Sequence, residues 1–184
     1  MSATRAPAFS TRPVTPANWT DLEALFEGKG GPKPCWCVAF RPMEQRATAD
    51  GPARKRAQHD RVRAGVPIGL LAYLDEDPVA WCSVAPRESF LRLSSDQNDA
   101  EGGVWSVTCF FVRRDHRKTG LSARLLDAAI ELARSRGGKV LEAYPVARDS
   151  PSYRFMGFDE LFEKRGFSLT GRTGSRRHVM RLAL

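Results

Sequence analysis

No apolar run in this chain approaches the ~20 residues that a membrane-spanning helix requires. The opening Met-Ser-Ala-Thr-Arg-Ala-Pro has no apolar core of the kind a signal peptide carries, so a cytoplasmic location is the expectation. Cysteine is scarce, with Cys35, Cys37, Cys82 and Cys109 the four present. A reducing compartment disfavours structural disulfides. The single residue between Cys35 and Cys37 is not the usual gap of a zinc-binding pair. The expectation is therefore reduced, mostly buried thiols and no metal. Neither common phosphate loop occurs: there is no Gly-x-x-x-x-Gly-Lys-Ser/Thr and no Gly-x-Gly-x-x-Gly. No Ser/His/Asp arrangement points to an acyl-enzyme, and no internal repeat is present.

Positive charge is abundant. Lysine and arginine number 29 against 21 aspartates and glutamates, a formal charge of +8. Such an excess suits nucleic acid, an acidic surface or a polyanionic cofactor. Hydrophobic residues at 42% and charged residues at 27% are ordinary for a globular protein. At 184 residues the expectation is one domain over 1–184, with 1–8 a disordered lead.

The most informative stretch runs from Val104 to Pro145. Val104–Val112 is apolar, β-branched or aromatic, and reads as a buried strand. Arg113–Gly120 is a basic turn ending in glycine. Leu121, Leu125, Ala128, Ala129 and Leu132 then recur at helical spacing, and Gly137-Gly138 stops that helix. Val140–Tyr144 reads as a second strand. Strand, basic turn, helix and strand make a βαβ unit. A helix N-terminus offers unpaired N–H groups and partial positive charge, so this turn is built to hold phosphate.

Around this unit, Phe9–Val14 reads as a strand and Thr15-Pro16 as a helix start carrying Leu22, Leu25 and Phe26 inward. A second, basic helix covers about 52–64. Ile68–Leu74 and Val79–Val84 form a hairpin, and Asp159–Lys164 is a short helix. Ser168–Thr170 and His178–Leu184 close the chain as strands. Antiparallel strands leading into one parallel crossover imply a mixed sheet flanked by helices.

Arg117-Lys118-Thr119-Gly120-Leu121-Ser122 resembles the pyrophosphate loop of the GNAT superfamily of acyl-CoA-dependent N-acyltransferases, Arg/Gln-x-x-Gly-x-Gly/Ala. Ser122 departs from the usual Gly or Ala. Leu161-Phe162-Glu163-Lys164-Arg165-Gly166-Phe167 resembles the family's Leu-Tyr-Glu-Lys-x-Gly-Phe block. The resemblance implies an α/β fold of α+β type: a central, mixed, mostly antiparallel sheet flanked by helices, with a splayed central strand pair. It implies acetyl-CoA as co-substrate, held by Phe110, Phe111, Val112, Arg117, Lys118, Thr119, Gly120, Leu121, Ser122 and Phe162. It implies an amine acceptor, contacted by Trp36, Phe40 and Arg41; ordinary core is the alternative for Trp36 and Phe40. A monomer or homodimer with no membrane partner completes the expectation.

In this family the amine attacks the thioester directly, and a backbone N–H near the end of the fourth strand polarises the carbonyl. Base candidates are Glu142, Glu101 and Glu88. Glu142 stands among apolar neighbours in a strand, where burial raises a carboxyl pKa. It is expected to act as the base, with Tyr144 beside it on the same strand face as acid; the alternative is a salt bridge to an arginine. The family's proton-donating tyrosine is replaced by Phe162, so Tyr144 or Tyr153 takes that role, or the thiolate leaves unaided. His116 reads as a phosphate contact, and Cys109 as a buried thiol with no nucleophilic role.

Two other readings compete with an N-acetyltransferase: an acyl-CoA sensor without turnover, supported by Phe162, and a nucleic-acid-binding module, supported by charge alone. If a CoA thioester is the main anionic partner, affinity for random-sequence DNA is weak and collapses at moderate salt. A fluorescence-anisotropy salt titration checks this; tight binding that persists at physiological salt would favour the nucleic-acid reading.

Overall fold

The structure is a computed structural model and describes residues 5–91, 93 and 102–184. Seven strands form one sheet: β1 Phe9–Pro13, β2 Leu70–Leu74, β3 Asp77–Pro86, β4 Val104–Val112, β5 Val140–Ala143, β6 Ser168–Thr173 and β7 Arg177–Ala183. Their order is β1-β2-β3-β4-β5-β7-β6. Only the β4–β5 pair is parallel. Among the described residues the α-helices are α1 Trp19–Glu27, α2 Gly51–Arg63, α3 Leu121–Ser135 and the short α4 Asp159–Glu163. This is the mixed, mostly antiparallel architecture expected from the sequence.

Side chains alternate across a strand, and each face of the sheet finds its own helices. On one face Leu70, Ala72, Cys82, Trp105, Val107, Leu141 and Ala143 pack against Leu121, Leu125, Leu126, Ala129 and Ala133 of α3. On the other, Leu71, Tyr73 and Trp81 pack against Leu22, Leu25 and Phe26 of α1 and Val62 of α2. The apolar stripe read from the sequence of α3 is the stripe it buries. Its end is a Schellman motif: Gly137, at φ 76, donates to Arg134 O and Gly138 to Ala133 O.

Several elements differ from the expectation at their ends. The first hairpin strand begins at Leu70 rather than Ile68, and its partner extends over Asp77–Pro86. Ala8, placed in the disordered lead, donates to the Asp75 carboxylate and accepts from the Asp75 amide at 2.7 Å. The β2–β3 hairpin thus holds the residue preceding β1, a long-range contact with no local signature.

One irregularity governs the site. On β3, Val84 pairs with Val107 and Ser83 with Cys109, so Thr108 of β4 has no opposite number. An extra residue bends the strand and raises its twist. On its other side β4 pairs with β5 only over Val104–Val107, opposite Val140–Ala143. Beyond Val107 the two strands part, and Pro145 soon follows without an N–H to extend a ladder. The β5-facing edge of Thr108–Val112 lacks a strand partner among the described residues.

Leu125 is fully buried between α3 and the sheet. Leu125→Ala is expected to destabilise the fold by ~2–5 kcal/mol, measured as the shift in the denaturant midpoint at unchanged slope.

Candidate active site

The parted strands open onto a cavity of about 740 Å³. Its basic end is the turn after β4 together with the start of α3: His116, Arg117, Lys118, Gly120, Leu121 and Ser122. Its apolar walls are Phe110, Phe111 and Val112 on one side and Phe155, Gly157, Phe158 and Leu161 on the other, with Arg154 among them.

The turn is held by its own contacts. Arg113 forks onto Asp77, at 2.8 and 2.9 Å, and reaches Asp115 at 2.9 Å. Those carboxylates, Asp77 foremost, raise its already high pKa. Arg113 therefore anchors the turn to the β2–β3 hairpin, and its charge is satisfied. Thr119 Oγ1 donates to His116 O at 2.6 Å, and Arg117 Nε to Val112 O at 3.2 Å. Lys118 and Gly120 both take left-handed backbone, at φ 66 and 82. A Cβ on Gly120 would meet nothing within 4 Å, so glycine is favoured there by conformation and by an open approach to the backbone. Gly120 is also the N-cap of α3 and supplies no side chain to cap it. The first amides of α3 thus keep free donors at the basic end of the cavity.

These residues fit a ligand with a diphosphate at one end and a long, mostly apolar arm. Helix-start amides with Arg117 and Lys118 suit the first part. The aromatic walls and the open edge of β4 suit the second, because an extended amide-bearing chain can pair with an unpartnered strand edge.

Residues 35–167 match the sequence model of the acetyltransferase (GNAT) family. The chain belongs to this family. Solved structures of similar fold include a ribosomal-protein-alanine N-acetyltransferase from Brucella melitensis, at 21% identity, 95% coverage of this chain and 99% of that one, TM-score 0.57. The Salmonella typhimurium protein yncA, solved with its cofactor acetyl-CoA, matches at 18% identity, 96% and 94% coverage, TM-score 0.57. The aminoglycoside acetyltransferase AAC(6')-Ib in complex with coenzyme A matches at 15% identity, 96% and 95% coverage, TM-score 0.61. No curated protein matches. Acetyl-CoA is the cofactor of the GNAT family, and the fold just described is the family's. No helix among the described residues is long and apolar enough to cross a membrane.

Of the ten residues expected to hold the cofactor, eight line this cavity: Phe110, Phe111, Val112, Arg117, Lys118, Gly120, Leu121 and Ser122. Thr119 does not line it and instead ties the turn together. Phe162 is fully buried, edge-on to Phe110 with centroids 6.2 Å apart and against Phe167. It stands behind the cavity wall and supports Phe110. Arg154 and Phe155 of the facing wall have no signal in the sequence, because Val146–Gly157 has no period to betray them, and Leu161, although part of the second motif, is not among the expected cofactor contacts.

The expected catalytic pair lies on the face of β5 opposite α3. Glu142 is fully buried and carries partners on every side: Arg181 Nε donates to it at 2.6 Å, Arg87 Nη1 at 3.4 Å, and the Tyr144 hydroxyl also donates. Tyr144 is likewise fully buried and touches Ser106 Oγ at 3.2 Å. Burial, then the Glu142 charge, pushes the Tyr144 pKa far up. Of the two alternatives left open for Glu142, the arrangement seen is the arginine pairing. A carboxylate already accepting from two guanidinium groups and a phenol is poorly disposed to take an amine proton. Of the other base candidates, Glu88 is exposed and Glu101 lies outside the described residues. Tyr153 is 40% exposed, in left-handed backbone at φ 58.

The residues expected to meet the acceptor are mostly interior. Trp36 is 2% exposed, stacked on Trp19 at 5.8 Å and packed against Phe26 at 5.1 Å. Arg41 is fully buried. It donates to Ser89 Oγ at 2.6 Å and Ile68 O at 3.2 Å, with its guanidinium 3.7 Å from the Phe90 ring centroid. Burial, and then nearby Arg61, lowers its pKa to about 9. Arg41 ties the α1–α2 connection to the segments that lead into β2 and out of β3. Phe40 is the most open of the three and lies beneath the Arg177 guanidinium at 5.3 Å.

Removing the Glu142 charge takes one anionic contact from Arg181 and one from the buried Arg87. Glu142→Gln is expected to cost ~3–5 kcal/mol of stability. Equilibrium unfolding checks it; a variant as stable as the parent would deny the ion pairs any structural weight.

Proposed function

We propose that the protein is an N-acetyltransferase that moves an acetyl group from acetyl-CoA to a primary amine of a small molecule or protein by direct attack. The observation that carries this reading is the parting of β4 from β5 beside a basic helix start. It leaves the β5-facing edge of Thr108–Val112 without a strand partner among the described residues, where the apolar cavity begins. The cofactor supplies an acetyl thioester when bound. The chain's part is positioning: Arg117, Lys118 and the first amides of α3 hold negative charge, and Phe110, Phe111, Phe155 and Phe158 exclude water. The open edge of β4 aims N–H groups at developing oxyanion charge, each worth a few kcal/mol when well placed. Glu142 is assigned to holding Arg87, Arg181 and Tyr144 in place beneath this region. Proton removal then falls to solvent or to a group the acceptor brings.

A second reading, an acyl-CoA sensor without turnover, draws on two observations. Phe162 stands where the family has a tyrosine, and Tyr144 is closed off from solvent.

An acetyl-CoA turnover screen over amine classes, following free thiol release, separates the two. Turnover with at least one amine class is expected. Gly120→Asp places negative charge where the diphosphate is expected, and acetyl-CoA affinity by calorimetry is expected to fall ~10-fold or more. Unchanged affinity would remove the 117–122 turn from the site, and binding without any turnover would favour the sensor.

A further inference from the structure

Two thiols meet on the face of the sheet opposite α3. Cys37, in the α1–α2 connection, and Cys109, on β4, have sulfurs 3.4 Å apart, close enough for one to donate a hydrogen bond to the other. They are 72 residues apart in sequence, and all four cysteines are free. The approach is enforced from both sides. Trp36 and Cys37 take consecutive left-handed backbone, at φ 45 and 51, which non-glycine residues adopt only when their surroundings demand it. Trp36 is locked against Trp19 and Phe26, so the chain cannot relax by rotating outward. Cys109 sits beside the unpaired Thr108, opposite Ser83, and its neighbours Phe110 and Phe111 line the cofactor cavity.

We propose that Cys37 and Cys109 form a redox-active dithiol, a modification site for a hydroperoxide, whose disulfide tethers the α1–α2 connection to β4 beside the cofactor cavity. Cys109 is the more open of the two and attacks first. Its sulfur takes the distal oxygen of the hydroperoxide, the O–O bond breaks, and the alkoxide leaves as an alcohol with the Cys109 proton. The Cys37 sulfur then attacks the Cys109 sulfenic acid. The S–S bond forms, the S–O bond breaks, and the hydroxyl leaves as water with the Cys37 proton. Hydrogen bonding to Cys109, together with burial and against an opposing contact from Cys35, holds Cys37 protonated, which suits a resolving thiol that brings its own proton. Closing the gap to the ~2.05 Å of a disulfide draws Cys109 toward the connection and shifts the strand edge that serves the cofactor.

Two other thiols compete on paper. Cys82 is fully buried among the residues that pack on α3, across the sheet from Cys37. Cys35 lies on the rim of a separate cavity of about 550 Å³ with Arg46 and Arg54, and is the competitor the experiment must exclude.

The full chain, reduced and freed of reductant, is treated with equimolar hydrogen peroxide. Free thiols counted in denaturant are expected to fall from four to two. Non-reducing peptide mapping should join the Cys109 peptide to the one holding Cys35 and Cys37. Cys35→Ser should still form the cross-link. Retention of every thiol, oxidation to sulfinic acid without a cross-link, or loss of the cross-link in Cys35→Ser would overturn the assignment. The oxidised protein is expected to bind acetyl-CoA about tenfold more weakly, with dithiothreitol restoring affinity; unchanged affinity would overturn the tether's effect on the cavity. The peptide map requires no acetyl-CoA, so it decides the dithiol even if the reduced protein binds none and the acetyltransferase reading fails.

Discussion

The structure depends on a sheet that is prevented from closing at its centre. Thr108 enters β4 without a partner on β3, and β5 stops at Ala143, so the parallel pair holds for only four residues on each strand. Unpaired backbone inside a protein is costly, and a fold that keeps such an edge uncovered must recover that energy elsewhere. The packing of α3 on one face and of α1 and α2 on the other supplies the stability that lets the open edge persist.

The opening also needs a rigid floor, and buried charge provides it. Glu142 draws in Arg87 from the end of β3, Arg181 from β7 and the Tyr144 hydroxyl from beyond β5. Three segments are thereby pinned to one carboxylate of β5. An isolated buried carboxylate would be expelled or protonated; paired with guanidinium groups and bonded to a phenol, it becomes a joint. The same logic keeps Arg41 inside, where carbonyl and hydroxyl oxygens and the Phe90 ring replace water around its guanidinium.

Charge elsewhere is divided between anchoring the turn and lining the cavity. Arg113 is satisfied by Asp77 and Asp115, whereas Arg117 and Lys118 line the cavity. A count of basic residues in the turn treats them alike. The division arises because Asp77 belongs to the β2–β3 hairpin, whose end the topology brings alongside the turn.

The sequence alone determined what rests on neighbours within a few residues. The 3.6-residue period of α3, the glycine stop at Gly137, the basic turn and its motif, and the apolar run of β4 were all legible, since each is local stereochemistry. Eight of the cavity residues were legible for the same reason. Only the tertiary structure decided how the buried groups are used. Glu142 stands 55 residues from Arg87 and 39 from Arg181, and Cys37 stands 72 from Cys109. Trp36, Arg41 and Phe162, expected at the site, are buried, because burial depends on which distant elements pack over a side chain. A carboxylate in an apolar strand can be a base or a joint. The choice lies with cations that reach it from other strands, and no local pattern encodes their arrival.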